Sequence, residues 1–434
     1  MHQPTPRRRA VHIAVASALA ASAASAKADD MEDLRSQVDT LLRKVSDLDR
    51  RQAAAIPTTG LVTGGATKGS FRLPGSDTSV TLGGYVKLDA IYSDKSAGVA
   101  SSADQEYEAG AVPVGPAAGA NERGQVKLHA RQSRFFIKTA SPSALGDVGT
   151  YLEFDLFGAA GNETVSNSHG LRVRHAYGTL GGLLAGQTWT TFSDPATYPD
   201  TLDFGGPAGV IFARQAQVRW TQKFGAGQWS VALENPESIV SLHDGTAFRA
   251  DDDRLPDIAG NVHLDTAWGK FSLAALARQV RVDSASAPAS RDQRWGGGLG
   301  LNGVMPFGAK DDARFSVYYG NGLGRYTVGF FTDGILDANQ HLQLANQWVA
   351  MAAYRHYWNE GLRSTLALSA LRAGNPDGTA GSVNRGAESA HLNLIWSPVV
   401  QANLGLELLV ARRETQDGLS GTLHRVQASA QYLF

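Results

Sequence analysis

The chain has 434 residues, a formal net charge of −1, 43% hydrophobic residues, 48 Gly, 16 Pro and no Cys. Without Cys there are no disulfides and no thiolate metal sites, which is compatible with an oxidising compartment; a near-neutral charge offers nothing to nucleic acid. A mean hydropathy of −0.20 excludes a bundle of membrane helices but not a barrel, in which only alternate residues meet lipid.

The N-terminus reads as a secretory signal over residues 1–28: Arg7, Arg8 and Arg9, then a short Ala-rich apolar run from Val11 to Ala23, then Ala24-Ser25-Ala26 or Ala26-Lys27-Ala28 as a small-x-small cleavage site. The run is too short to span a bilayer. Cleavage there removes Arg7, Arg8, Arg9 and Lys27 from the 40 basic residues, leaving 36 against 41 acidic and a charge of −5.

Residues 29–56 are expected to form a periplasmic coiled-coil segment. Met31, Leu34, Val38, Leu41, Val45 and Leu48 alternate spacings of three and four, an a/d seam with Val at a and Leu at d in its later heptads. A lone helix of this length is marginal in water, and the Pro/Thr/Gly linker at 57–78 separates it from anything to pack on. The competing reading is an amphipathic helix lying on the domain. Val-at-a leans to dimers, but Leu42 widens the apolar face, so the heptads leave dimer and trimer both open.

From Ser79 to Phe434, runs of period two alternate with turns and loops. Strand side chains point alternately to opposite faces. In the first run Val80, Leu82, Val86, Leu88, Ala90 and Tyr92 share a face, with Lys87 and Asp89 opposite. In the last, Val426, Ala428, Ala430, Tyr432 and Phe434 oppose Arg425, Gln427, Ser429 and Gln431. Sixteen such runs are counted, apolar outside and wet inside. Short turns follow even-numbered runs, among them Gly181-Gly182, Gly225 to Gly227, Gly269-Lys270, Pro306 to Asp311 and Ser397-Pro398. Longer polar segments follow odd-numbered runs. Trp and Tyr gather near run ends. Segregated loop lengths and aromatic belts are the outer-membrane pattern. The fold class is therefore all-β: a sixteen-stranded antiparallel transmembrane β-barrel over 79–434, preceded by a short α-helical coiled coil.

The inward positions are rich in cations: Arg134, Lys138, Arg172, Arg174, Arg219, Arg278, Arg314 and Arg355, with Lys87 and Arg425. Such a wall favours anions, and Arg matches a carboxylate with two parallel hydrogen bonds. Asp89, Glu153, Asp155, Glu234, Asp265 and Glu407 point inward too, so cross-strand pairing that merely stiffens the wall is the bland reading of any single Arg. The third outer loop, 190–211, mixes aromatics and Pro with Asp194, Asp200 and Asp203. Its composition predicts an inward fold as a constriction, with those Asp facing the Arg wall to set a transverse field; a lid or a subunit latch is the alternative.

Sharper motifs carry less. Gly298-Leu299-Gly300-Leu301-Asn302-Gly303 fits G-x-G-x-x-G without a βαβ unit around it. Asp251-Asp252-Asp253 lacks the ligand spacing of a calcium loop. His263 and Asp265 have no nucleophile motif beside them. No catalytic residue, metal or cofactor is implied.

The chain resembles the DcaP-like trimeric porins, a family of dicarboxylate-type outer-membrane channels. The likeness covers nearly the whole mature chain: the heptads, Leu82-Gly83-Gly84-Tyr85-Val86-Lys87, Arg131-Gln132-Ser133-Arg134-Phe135-Phe136-Ile137-Lys138, Ala185-Gly186-Gln187-Thr188-Trp189-Thr190-Thr191-Phe192, Gly320-Asn321-Gly322-Leu323-Gly324-Arg325-Tyr326 and the closing Gln431-Tyr432-Leu433-Phe434. It implies a homotrimer, a periplasmic coiled coil and passive uptake of small anions such as dicarboxylates, with Arg134, Lys138 and Arg174 in or near the similar segments. The expected partners are small anionic solutes, outer-membrane lipid and two further copies of the chain; peptidoglycan lies within reach of the coiled coil, and nucleic acid is not expected. A general, weakly selective diffusion porin is the alternative. A barrel enzyme relying on His263 or Asp265 and a cell-wall tether relying on residues 31–52 are more distant.

Overall fold

The computed structural model describes residues 28–55, 63–95, 104–120, 124–159, 163–249, 252–284, 290–327 and 331–434. The signal segment, apart from its last residue Ala28, and most of the Pro/Thr stretch of the linker lie outside them. The described chain forms two units. The first contains helix α1 (Ala28–Ala55), on which Leu41, Leu42 and Val45 are 60%, 59% and 48% exposed.

The second unit is a closed sheet of sixteen antiparallel staves: β1 (Ser79–Ser93), β2 (Gln125–His129 and Arg134–Ser141), β3 (Val148–Asp155), β4 (Arg172–Leu180), β5 (Leu183–Trp189), β6 (Arg214–Phe224), β7 (Gly227–Glu234), β8 (Asp257–Thr266), β9 (Gly269–Ser284), β10 (Ser290–Phe307), β11 (Asp311–Asn321), β12 (Asn346–Tyr357), β13 (Leu362–Gly374), β14 (Asn384–Val399), β15 (Ala402–Thr415) and β16 (Ser420–Leu433). The last stave pairs with the first, Val426 opposite Tyr92 and Tyr432 opposite Val86. Closure leaves no edge, as a spanning sheet requires.

Alternation explains the wall. Outward Leu82, Val86, Leu88, Leu392, Leu394, Leu406 and Leu408 are exposed, while inward Lys87, Asp89, His391, Asn393 and Glu407 are buried. Seven of the eight Trp are exposed outward or at turns; Trp189 is not among them. The G-x-G-x-x-G match sits in β10, where a Cβ on Gly300 would lie 2.3 Å from the Tyr318 ring and one on Gly303 2.4 Å from the Phe315 ring. These glycines make room for aromatic rings.

Three expectations are corrected. The turns are shifted: Gly269 and Lys270 begin β9, Pro306 and Phe307 end β10, and Ser397 and Pro398 stay in β14, which bulges between Trp396 and Val399. The loop asymmetry is not strict: the outer connection at 416–419 is short, and β9 stays paired with β10 as far out as Ser284 opposite Ser290. Nor is the interior wet throughout. Tyr107, Phe192, Ile211, Tyr318, Tyr326 and Leu371 belong to one buried apolar cluster inside the wall. Outer segments fold inward to build it, and segments 239–241, 247–249, 334–336 and 342–344 pair as a separate four-stranded sheet.

The outward face carries a direct test. Leu392 is outward and half-exposed near the middle of β14. Leu392→Arg is expected to cost about 2–4 kcal/mol, read as a lower urea midpoint for unfolding from lipid vesicles.

Candidate functional site: the constricted lumen

The third loop connects β5 to β6 over 190–213 and lies inside the barrel: Phe192, Thr197, Asp203 and Ile211 are buried. A short 3-10 turn at Pro195–Thr197 is capped by Asp194, whose carboxylate accepts from Ala196 N–H. The loop is fastened to the wall by polar bonds, mainly to β7–β16. Glu234 accepts from Thr190 Oγ1 and Thr191 N–H, both at 2.6 Å. Ser272 donates to Asp194 at 2.7 Å. Arg314 donates to the Tyr198 carbonyl at 2.6 Å. Glu407 accepts from Leu202 N–H at 2.7 Å and Asp203 N–H at 3.2 Å. At Gly209 the backbone comes so close to the wall that a Cβ would sit 2.2 Å from the Ala350 carbonyl.

The three Asp are anchors, not a charged fence facing the arginines. Asp194 binds Ser272 and lies 3.5 Å from His263. Asp200 pairs with Arg363 at 2.7 Å. Asp203 pairs with Arg425 at 2.7 Å, with both side chains buried. Burial alone would raise the Asp203 carboxyl; the Arg425 charge and the Tyr107 N–H bond overcome that and hold it below the usual carboxylate range. The loop residue that meets the arginine wall is Phe204. Its ring stacks on Phe157 at 4.5 Å, with Arg172 5.1 Å and Arg174 5.5 Å from its centroid.

The predicted basic residues divide into three groups. On β2 and β4, Arg134, Arg172 and Arg174 share Glu153 and Asp155: Arg174 bonds both, at 2.7 and 3.0 Å, Arg172 bonds Asp155 at 2.7 Å, and Arg134 lies 3.5 Å from Glu153. Arg219 on β6 makes no ion pair among the described residues, and its Nε has no hydrogen-bond partner. Lys138 is exposed nearer the short-turn end. At that end too, Arg314 and Arg355 share Asp312. Arg278 is set apart from both. It is fully buried on β9, bonded to Asp333 at 2.9 Å and 3.4 Å from Asp257, and fastens outer segments to the wall. Placing it on the solute path is therefore corrected: its guanidinium is spent on protein carboxylates.

Other residues of the site were missed. A bulge between β3 and β4 at Glu153/Phe154 turns both Arg174 and His175 inward; period-two reading assigns neighbouring residues to opposite faces. Arg214 stacks on Trp189 at 4.7 Å and Phe212 at 5.2 Å without a carboxylate partner among the described residues. The Thr-Trp run before it and the Phe before Arg214 were the available signal. Arg172, Arg214, Arg249 and Arg325 border a cleft of about 410 Å³ together with Glu237. The first loop also enters: Tyr107 donates its N–H to Asp203. Beside it, partial burial and the Glu108 charge push the Glu106 carboxyl up to about 8, so near neutrality it offsets less of the arginine charge than an ordinary Glu.

A closed barrel with a lipid-matched exterior and a lumen narrowed by an inward loop is an outer-membrane porin-type channel. The chain belongs to the DcaP outer membrane protein family, whose model matches residues 11–434. It is similar to the crystal structure of the outer membrane channel DcaP of Acinetobacter baumannii, at 25% identity over 86% of this chain and 100% of that one, with a TM-score of 0.72. Porin Omp2b of Brucella abortus is 24% identical over 288 residues, 57% of this chain and 71% of that protein. An anion-selective porin from Comamonas acidovorans shares the fold at 14% identity, over 82% of this chain and 100% of that one, with a TM-score of 0.52. These relatives are channels, and this chain is a channel of the outer membrane and not an enzyme.

The anchors make the loop testable. Breaking a buried ion pair costs about 3–5 kcal/mol, so Arg425→Gln is expected to loosen the third loop and raise single-channel conductance. Because the Asp203 carboxyl is depressed in the folded state, its pairing holds above the ordinary carboxylate value and is lost as pH falls through the lower one. Wild-type conductance should stay flat from pH 7 to about 5 and rise only below about 4.

Proposed function

We propose that the channel carries small anionic solutes, dicarboxylates foremost, passively down their gradient. The observation that supports this is the charge balance on the β2–β6 wall. Arg134, Arg172, Arg174, Arg214 and Arg219 stand against Glu153 and Asp155, five cations against two carboxylates. Arg134 and Arg219 are partly exposed, and guanidinium groups with open donors pair with carboxylates in a low-dielectric lumen. A solute leaving the arginine cleft meets Phe204, then the exposed Lys138 towards the short-turn end, where Arg314 and Arg355 are held by Asp312. The paired carboxylates keep the wall from holding anions so tightly that they cannot leave. The third loop sets the size limit.

Planar-bilayer recordings under a salt gradient test this. An anion-selective reversal potential is expected, with a severalfold drop in current as succinate is added. Arg134→Gln with Arg219→Gln should relieve that block severalfold. Cation selectivity without succinate block would leave a general diffusion porin.

We also propose export by cleavage after Ala26 or Ala28 and assembly as a homotrimer. The solvent-exposed Leu41, Leu42 and Val45 of α1 support association of that helix with its copies in the periplasm, beside peptidoglycan. Deleting residues 31–52 should lower the trimer fraction measured by mass photometry in detergent while leaving the conductance of surviving channels unchanged. An unchanged trimer fraction would assign trimer contacts to the barrel alone.

A further inference from the structure

One feature of the outer wall has no part in solute passage. Most outward positions there are Leu, Val, Phe, Trp or Tyr, yet four neighbouring ones on β12–β14 are alanine: Ala350, Ala352, Ala370 and Ala390. Register sets Ala350 beside Ala370, and Ala352 beside Leu368, which in turn faces Ala390. With Phe315 and Val317 on one flank and Val410 on the other, they form a groove of about 600 Å³.

The groove ends in charge on its outer-loop side. Glu388 lies opposite Arg412 and is ion-paired to Arg372. Arg372 is level with Trp348, and Trp348 with Tyr319, the aromatic pair that marks the interface at this height. Arg412 is exposed and donates to the Ser420 hydroxyl at 3.3 Å through one nitrogen. Glu414 follows Arg412 on the same face, opposite Gly386, so arginines and carboxylates are equal in number, but Arg412 makes no ion pair among the described residues and is the cation the rim leaves open. Outward cations are costly in hydrocarbon and tolerated at the headgroup level, where basic groups recognise phosphorylated headgroups.

We propose that this groove seats an outer-leaflet lipid with a phosphate headgroup, the phosphate on Arg372 and Arg412 and an acyl chain against the alanines. Charge complementarity selects this occupant: the open Arg412 guanidinium stands at headgroup height and the small residues run from it towards mid-bilayer. Small side chains let the acyl chain approach the sheet closely, and Arg offers phosphate two parallel donors. A second subunit seated here would have to bring a carboxylate to the same height.

Native mass spectrometry of the full-length channel tests the site. The probes are diphosphorylated hexa-acyl lipid A, its dephosphorylated form, and inorganic phosphate as competitor. Diphosphorylated lipid A is expected to bind at least tenfold more tightly than the dephosphorylated form and to resist displacement by inorganic phosphate. Arg372→Gln with Arg412→Gln, and separately Ala370→Leu with Ala390→Leu, should each lower binding at least tenfold. Heat-modifiable gel migration verifies folding, and Arg412→Gln alone, which disturbs one hydroxyl bond, serves if the double variants fail to assemble. Equal binding by the two lipids, or by wild type and folded variants, overturns the proposal. Loss of subunit association in the groove-filling variant with lipid binding unchanged also overturns it and makes the groove a protein interface.

Discussion

No water is available in hydrocarbon to satisfy a peptide group, so every backbone N–H and C=O of the wall must find its partner in the sheet. Everything else in the molecule follows from meeting that demand by closure. Where the sheet closes, Phe434 and Gly84 exchange backbone bonds at 3.1 and 3.2 Å. Closure fixes which residues meet lipid and which meet the lumen, and it sets the aromatic belts at the ends of the staves. It also creates a difficulty. Sixteen strands enclose more space than wall side chains fill, so the interior has to be furnished by loops.

Furnishing the interior uses most of its charge. Arg278 holds Asp257 and Asp333, Arg425 holds Asp203, Arg363 holds Asp200, and Glu407 receives two loop N–H groups. Buried pairs of this kind add little net stability over apolar substitutes, but each selects one position for a segment that the bilayer does not constrain. Their consequence for transport is subtractive: a guanidinium saturated by protein carboxylates presents nothing to a passing solute. What remains is the surplus on β2–β6, where Arg214 lies over the Trp189 and Phe212 rings and Arg219 has an unpartnered Nε. Selectivity in such a lumen depends on which cations the fold leaves unspent, not on how many the sequence contains.

Much of the wall was legible in the chain itself, because the pattern that places a side chain in lipid or lumen is local and has period two. Lys87 against Leu88, Glu407 against Leu408 and Gln427 against Ala428 needed no tertiary information. Where the local rule breaks, so did the reading. The bulge at Glu153/Phe154 puts Arg174 and His175 on one face, and β2 is interrupted between His129 and Arg134, which hid its outer half. A readable signal passed unused: the inward positions of β12–β15 include Val349, Met351, Ala353, Ala367, Leu371, Ala387, Leu409 and Ala411. Apolar residues on both faces of adjacent staves mean that something dry lies within, and here it is the third loop and its neighbours.

The sequence by itself determined the barrel, its number of staves and the face on which most of the cations lie, while for the third loop it left an inward fold, a lid and a subunit latch open. The barrel, the stave count and the cation face each depend on alternation along single staves, and lipid on one side enforces it. Only the tertiary structure decided what each charge does. Whether Asp203 faces the pore or binds Arg425, and whether Arg278 lines the path or clamps Asp333, depends on residues separated by long stretches of chain. Coulomb attraction across such separations is set by where loops come to rest, and no local pattern encodes that position.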